Sequence, residues 1–133
     1  MGTHTSLDVL RTAPTLLAGI RCADDLAVAA NRDGGARAVR LLAESALASG
    51  EGADQLSAIA AIHALAQVFD ESADDVLVKL LSDERPFARE HAAWAFSARL
   101  PCFDAFAPLI RMIISGGFTG MIAQRTLEQW SPL

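Results

Sequence analysis

An all-α fold of stacked antiparallel helix pairs, an α-α superhelix, is predicted by three features of this 133-residue sequence. Residue types return every 31 positions: Ala61, Ala92 and Ala123 share one register, and Leu65, Phe96 and Leu127 share a second, four residues further on. Each copy carries apolar residues at helical spacing, and a fixed period of that length marks a repeat array rather than a single closed fold. Composition agrees. Hydrophobic residues, largely alanine and leucine, make up 52%, aromatics only 6%, and tyrosine is absent. That balance suits close-packed helices and argues against a sandwich of β-branched and aromatic strands.

In chain order, a polar start to Ser6 leads into an amphipathic piece over 7–20, which Pro14 either breaks or restarts. Asp24 and Asp25 are expected to open an alanine-rich helix ending near Asn31, and Asp33-Gly34-Gly35 to form a turn. From Ala36 to Ser49, Val39, Leu42, Ala43, Ala46 and Leu47 make one apolar stripe, which Gly50-Glu51-Gly52 stops. Asp54 is expected to cap a helix reaching about Phe69, with Ala58, Ala61, Ile62, Leu65 and Phe69 inward. Ser72 and Asp75 read as a capping-box-like start for a helix carrying Val76, Leu77, Leu80 and Leu81. Pro86, in the first helical position where its missing N–H costs nothing, begins the next helix. It is expected to run to about Leu100, with Ala88, Ala92, Ala95, Phe96 and Leu100 on one face. Pro101 ends it. A helix over 103–115 should turn Phe106, Leu109, Ile110 and Ile113 inward, and Gly116-Gly117 leads to a last helix from Phe118 to about Trp130.

The run Asp83, Pro86, Arg89, Ala92, Ala93 and Ala95 resembles the second-helix signature of a HEAT repeat. The resemblance implies a right-handed solenoid in which Asp83 and Arg89 belong to a ladder of ion pairs, with Pro86, Ala92 and Phe96 as structural positions. The ladder is incomplete, since Ala58 and Gly120 stand where other repeats need arginine, so apolar packing must carry the stack. One domain over 1–133 is expected, with a divergent N-terminal cap over 7–31 and repeat units over 36–69, 71–100 and 103–130. The cap has polar Asp24, Asp25 and Arg32, whereas the other end shows Trp130, Pro132 and Leu133. That asymmetry suggests that something follows or docks there.

Charge and motifs narrow the function. A net charge of −5 and a pI near 5.0 give no attraction for phosphate backbones, so nucleic acid is not an expected partner. The start lacks the basic and apolar regions of a secretory signal, and no uncharged run is long enough for a bilayer. Gly2 and Ser6 fit a myristoylation pattern, but no basic cluster follows to make membrane binding stable. Cys22 and Cys102 lie 80 residues apart without metal spacing and read as two free thiols in a reducing cytoplasm, while the resemblance to short HEAT-like units implies a bacterial protein. No metal site or cofactor is expected: His63 and His91 lack a third ligand, and Glu90-His91 lacks the partner that a zinc-protease helix needs. Gly116-Gly117-Phe118-Thr119-Gly120 has no preceding strand and no following lysine, so it reads as a turn rather than a P-loop. Asp24-Asp25 and Asp74-Asp75 read as helix-start carboxylates, not an acid/base pair. No nucleophile stands in a recognisable triad.

Function is therefore expected at exposed positions of the second helices, as a non-catalytic protein-interaction or scaffold module. His63, Trp94 and Arg125 share one 31-residue register, Ala60, His91 and Ile122 share the register one turn earlier, and Glu90 and Gln129 lie beside them. An outward tryptophan among charged neighbours is a typical anchor for a protein partner or a second copy. The competing reading has Trp94 packed sideways over the seam between units. Residues 82–130 are also similar to a HEAT-like segment ahead of the catalytic domain in some actinobacterial glycosyltransferases, which implies an alternative role as the helical accessory module of a larger enzyme.

Overall fold

The computed structural model describes residues 16–33, 35–48 and 53–131, and the regular structure among these residues is all helix. In order they form α1 (Leu16–Asp33), α2 (Gly35–Leu47), α3 (Ala53–Leu65), α4 (Ser72–Leu81), α5 (Pro86–Ser97), a 3₁₀ turn (Phe103–Ala105), α6 (Phe106–Ser115) and α7 (Gly117–Trp130). They group into two compact units, divided between Ala73 and Asp74 in the first turn of α4. Among the described residues no helix is long and apolar enough to cross a membrane.

In the first unit α3 packs against both α1 and α2. A helix with two partners must be apolar nearly all round, and from Ser57 to Ala66 every residue but His63 is buried. The C-terminal end of α1 is tied to the segment just after α3. Asn31 Nδ2 donates to the Gln67 carbonyl at 2.9 Å, and the Phe69 N–H donates to Asn31 Oδ1 at 2.7 Å. Because these ends meet, α1 and α3 run in the same direction.

The Asn31 clamp explains two departures from expectation. Helix α3 stops at Leu65 rather than Phe69, and Phe69 is almost wholly exposed instead of inward. The aspartates at 24 and 25 do not open a helix; they lie in the middle of α1, where Asp24 Oδ1 accepts a 2.7 Å bond from Gln67 Nε2. Asp54 is already inside α3, so it is not the cap. Most of the expected 7–20 piece, Gly34, and the 50–52 stop lie outside the described residues.

Helix α4 is capped by Asp70, not by Ser72. Its Oδ1 accepts from the Ser72 N–H at 2.9 Å and from the Ser72 hydroxyl at 2.6 Å, and the hydroxyl bond leads in holding the carboxyl below its ordinary range. Asp74 and Asp75 occupy the first turn of α4, complementing the dipole. Asp74 also pairs with Arg99 at 2.6 Å.

The second unit is built around α7. Contacts from α5 to α7 advance together along both helices: Thr119 Oγ1 to Glu90 Oε1 at 3.4 Å, Thr126 Oγ1 to the Ala93 carbonyl at 2.7 Å, and Trp130 against Phe96. These two helices are parallel. Helix α6 runs back against α7, since Phe106 meets Trp130 while Met112 meets Gly120. The reversal takes place at Gly116 and Gly117, whose φ values of 78° and 73° suit only glycine. At Gly120 a Cβ would lie 2.8 Å from the Met112 carbonyl, so the residue's lack of a side chain sets how closely α6 and α7 approach.

Trp130 is not the exposed end residue expected from its position. It packs edge-on to Phe96 and Phe106 at 5.8 and 5.3 Å, and its Nε1 donates to the Phe96 and Arg99 carbonyls at 3.2 Å each. Those two acceptors lie at and just past the end of α5, which closes at Ser97 and leaves Leu100 exposed rather than on the inner face. The inner face of α6 also differs from expectation. Ala105, Pro108, Leu109 and Met112 are buried, whereas Ile110 faces outward, Phe106 is partly exposed at the edge of its contact with Trp130, and Ile113 is half-buried. An apolar helix offers two adjacent stripes, and the close approach at Gly120 selects the one containing Met112.

Candidate functional site

The ends of α4 and α5 are joined by a charged loop whose geometry positions α5. Pro86 starts α5 as expected, with no side-chain cap. Asp83 does not pair with Arg89. Its carboxylate takes Arg85 in a two-pronged contact at 2.8 and 2.9 Å and also accepts the Arg85 N–H at 2.9 Å. The side-chain bond from Arg85 is the main reason that the carboxyl titrates below its ordinary range, and Asp83 in turn raises the guanidinium. Arg89 Nη1 instead donates to the Asp83 and Glu84 carbonyls at 2.7 and 3.0 Å. A residue two positions away reaches the carboxylate within one turn, so the local pair forms and Arg89 becomes a brace for the loop.

The inward registers are uniform in both units. Ala61, Ala92 and Ala123, one register of the period of 31, are all fully buried, as are Leu65 and Phe96 of the second. The adjacent outward register differs at each position: His63 is half-buried, Trp94 is 42% exposed and Arg125 is exposed.

Four of the expected partner-binding residues stand on the α5 and α7 pair in the second unit together with Trp94: Glu90 and His91 on α5, Arg125 and Gln129 on α7. Arg125 and Gln129 are exposed, and Glu90 is half-buried against the start of α7 through Thr119. Burial pushes the His91 imidazole below its usual 6.5, with neighbouring Glu90 pulling the other way. His63 belongs to α3 of the first unit, where its carbonyl accepts from Gln67 Nε2 at 3.5 Å.

A shallow groove of about 320 Å³ lies in the second unit beside α6, with Arg89, Pro108, Arg111, Ser115 and Thr119 on its walls. Arg89 and Thr119 already spend hydrogen bonds on the loop carbonyls and on Glu90. Among the described residues no three His, Cys, Asp or Glu side chains converge as a metal site would need. Cys102 is a partly exposed free thiol.

The feature missed by sequence reasoning is the outward face of α6. Phe103, Ile110 and Ile114 are 87%, 47% and 78% exposed, and Phe106 is exposed with them. Their spacing was legible as apolar, but the same spacing reads equally as core. No protein-family model, curated protein or solved structure matches this chain.

Proposed function

We propose that this chain is a non-catalytic protein-binding module, a short HEAT-like array of helix pairs, whose α5 and α7 face holds a protein partner at Trp94. The carrying observation is Trp94 itself, a large aromatic 42% exposed on a helix whose neighbouring positions Ala92, Ala93, Ala95 and Phe96 are fully buried. Exposed arginine and glutamine on the parallel helix α7 and half-buried Glu90 and His91 supply the polar surround that such anchors use. The parallel run of α5 and α7 and the fully buried alanine register support the repeat reading. An enzyme domain is one form that the partner can take.

The test is co-purification from the source cells with the 133-residue chain as bait. Trp94→Ala and Arg125→Glu are expected to lose the captured proteins while retaining the helical circular dichroism of the wild type. The control Leu100→Ala, at another exposed apolar position, should retain them. Equal capture by wild type and Trp94→Ala would sink the proposal.

A further inference from the structure

The outward face of α6 gathers exposed apolar side chains on one short segment. Helix α2, which packs on α3 as α6 packs on α7, turns Arg37, Arg40 and Glu44 to solvent. Helix α6 turns out Phe106, Ala107, Ile110 and Ile114, continued by Phe103 of the 3₁₀ turn. Contiguous exposed apolar side chains of this kind mark an interaction surface.

The stripe is arranged to meet a copy of itself. Positions 103 and 114, and positions 107 and 110, are symmetric about the middle of the segment. Two such helices laid antiparallel place Phe103 of each against Ile114 of the other, with Ala107 and Ile110 opposed between them. Such a contact is isologous and closes at two copies. The charges agree with that orientation. Asp104 and Arg111, both exposed, are seven residues apart and therefore lie on the same flank of the stripe. In an antiparallel pair each flank meets its own counterpart, so Asp104 of one copy faces Arg111 of the other, twice. A parallel pairing would set this flank against the opposite one, and neither charge pair would form.

We propose that two copies of this chain associate through an antiparallel pairing of their α6 helices, with Ile110 near the centre and the Asp104 and Arg111 pairs at the rim. The stripe lies on α6 and Trp94 on α5, so self-association and partner binding are tested by different substitutions.

The test is sedimentation velocity with light scattering on the full chain, over a concentration series of about three decades reaching toward millimolar. The expected result is a mass rising from 14.1 kDa toward twice that value. Ile110→Glu should hold the chain at the single-copy mass with unchanged helicity. Asp104→Arg and Arg111→Asp, each of which sets like charges across both rims, should weaken association about tenfold when alone. Mixed in equal amounts they should restore it, since each supplies the charge that the other lost. A chain that stays single across the series would overturn the proposal and leave the face to a different partner. A dimer indifferent to Ile110→Glu would place the contact elsewhere. Failure of the mixture to recover would rule out the antiparallel arrangement.

Discussion

Helices α2 and α6 hold equivalent places in their units, yet they treat water in opposite ways. Both bury a stripe that includes a fully enclosed leucine, Leu42 in one and Leu109 in the other. On the far side α2 shows two arginines and a glutamate beside Leu47, while α6 shows phenylalanine and two isoleucines beside Arg111. The inner faces answer the same packing demand and converge; the outer faces are free of that demand and record what each helix must meet. Composition of the inner stripe thus follows from the packing, while composition of the outer stripe is left free to differ.

The comparison is broken or sharpened by substitutions, taken here from the largest expected effect downward. Leu42→Ala and Leu109→Ala should each cost about 3 kcal/mol in chemical denaturation, because both truncate fully enclosed side chains. A cost below about 1 kcal/mol for Leu109→Ala would mean that the inner face of α6 is not sealed like that of α2. Gly120→Ala should cost about 2 kcal/mol, since its Cβ must push against the Met112 backbone carbonyl and spread α6 from α7. Ile110→Ala, measured in dilute protein, should cost less than about 1 kcal/mol, the signature of an outward residue. A loss matching that of Leu109→Ala would erase the distinction between the two faces.

The smallest effect concerns pH. Burial lowers the His91 pKa in the folded chain below the 6.5 of an unconstrained imidazole. As pH falls through that value, the unfolded chain takes up a proton that the folded one resists, and stability drops until pH passes below the folded value. Between about pH 7 and 5 the wild type should therefore lose thermal stability more steeply than His91→Gln. Parallel curves would show that His91 is not held in a desolvated position.

The elements that were legible in the sequence are those fixed by local chemistry. Pro86 at the start of α5, the Gly116-Gly117 reversal and the buried register of Ala61, Ala92 and Ala123 all follow from neighbours along the chain. What could not be read depends on a second element. Asn31 decides where α3 ends, although it lies 36 residues before the Gln67 carbonyl that it binds. Trp130 looked exposed because its partners Phe96 and Phe106 come from other helices. The inner face of α6 was misassigned because its apolar residues surround the helix, and only the closeness permitted by Gly120 decides between the stripes. The expected Asp83 and Arg89 pair failed for a related reason: Arg85 is nearer in the chain and takes the carboxylate first. For the candidate site, the outward register of Trp94 and Arg125 was legible from the period alone, whereas the apolar outer face of α6 was not.

The Asn31 clamp has a consequence for the ageing of the protein. One side-chain amide serves there as donor to the Gln67 carbonyl and as acceptor from the Phe69 N–H. Spontaneous deamidation to aspartate would keep the acceptor but replace the donor with a carboxylate oxygen facing a carbonyl oxygen. At this position the step would set two oxygens against each other, so the hold on the segment after α3 would fall to the Phe69 N–H and to the bond between Gln67 and Asp24.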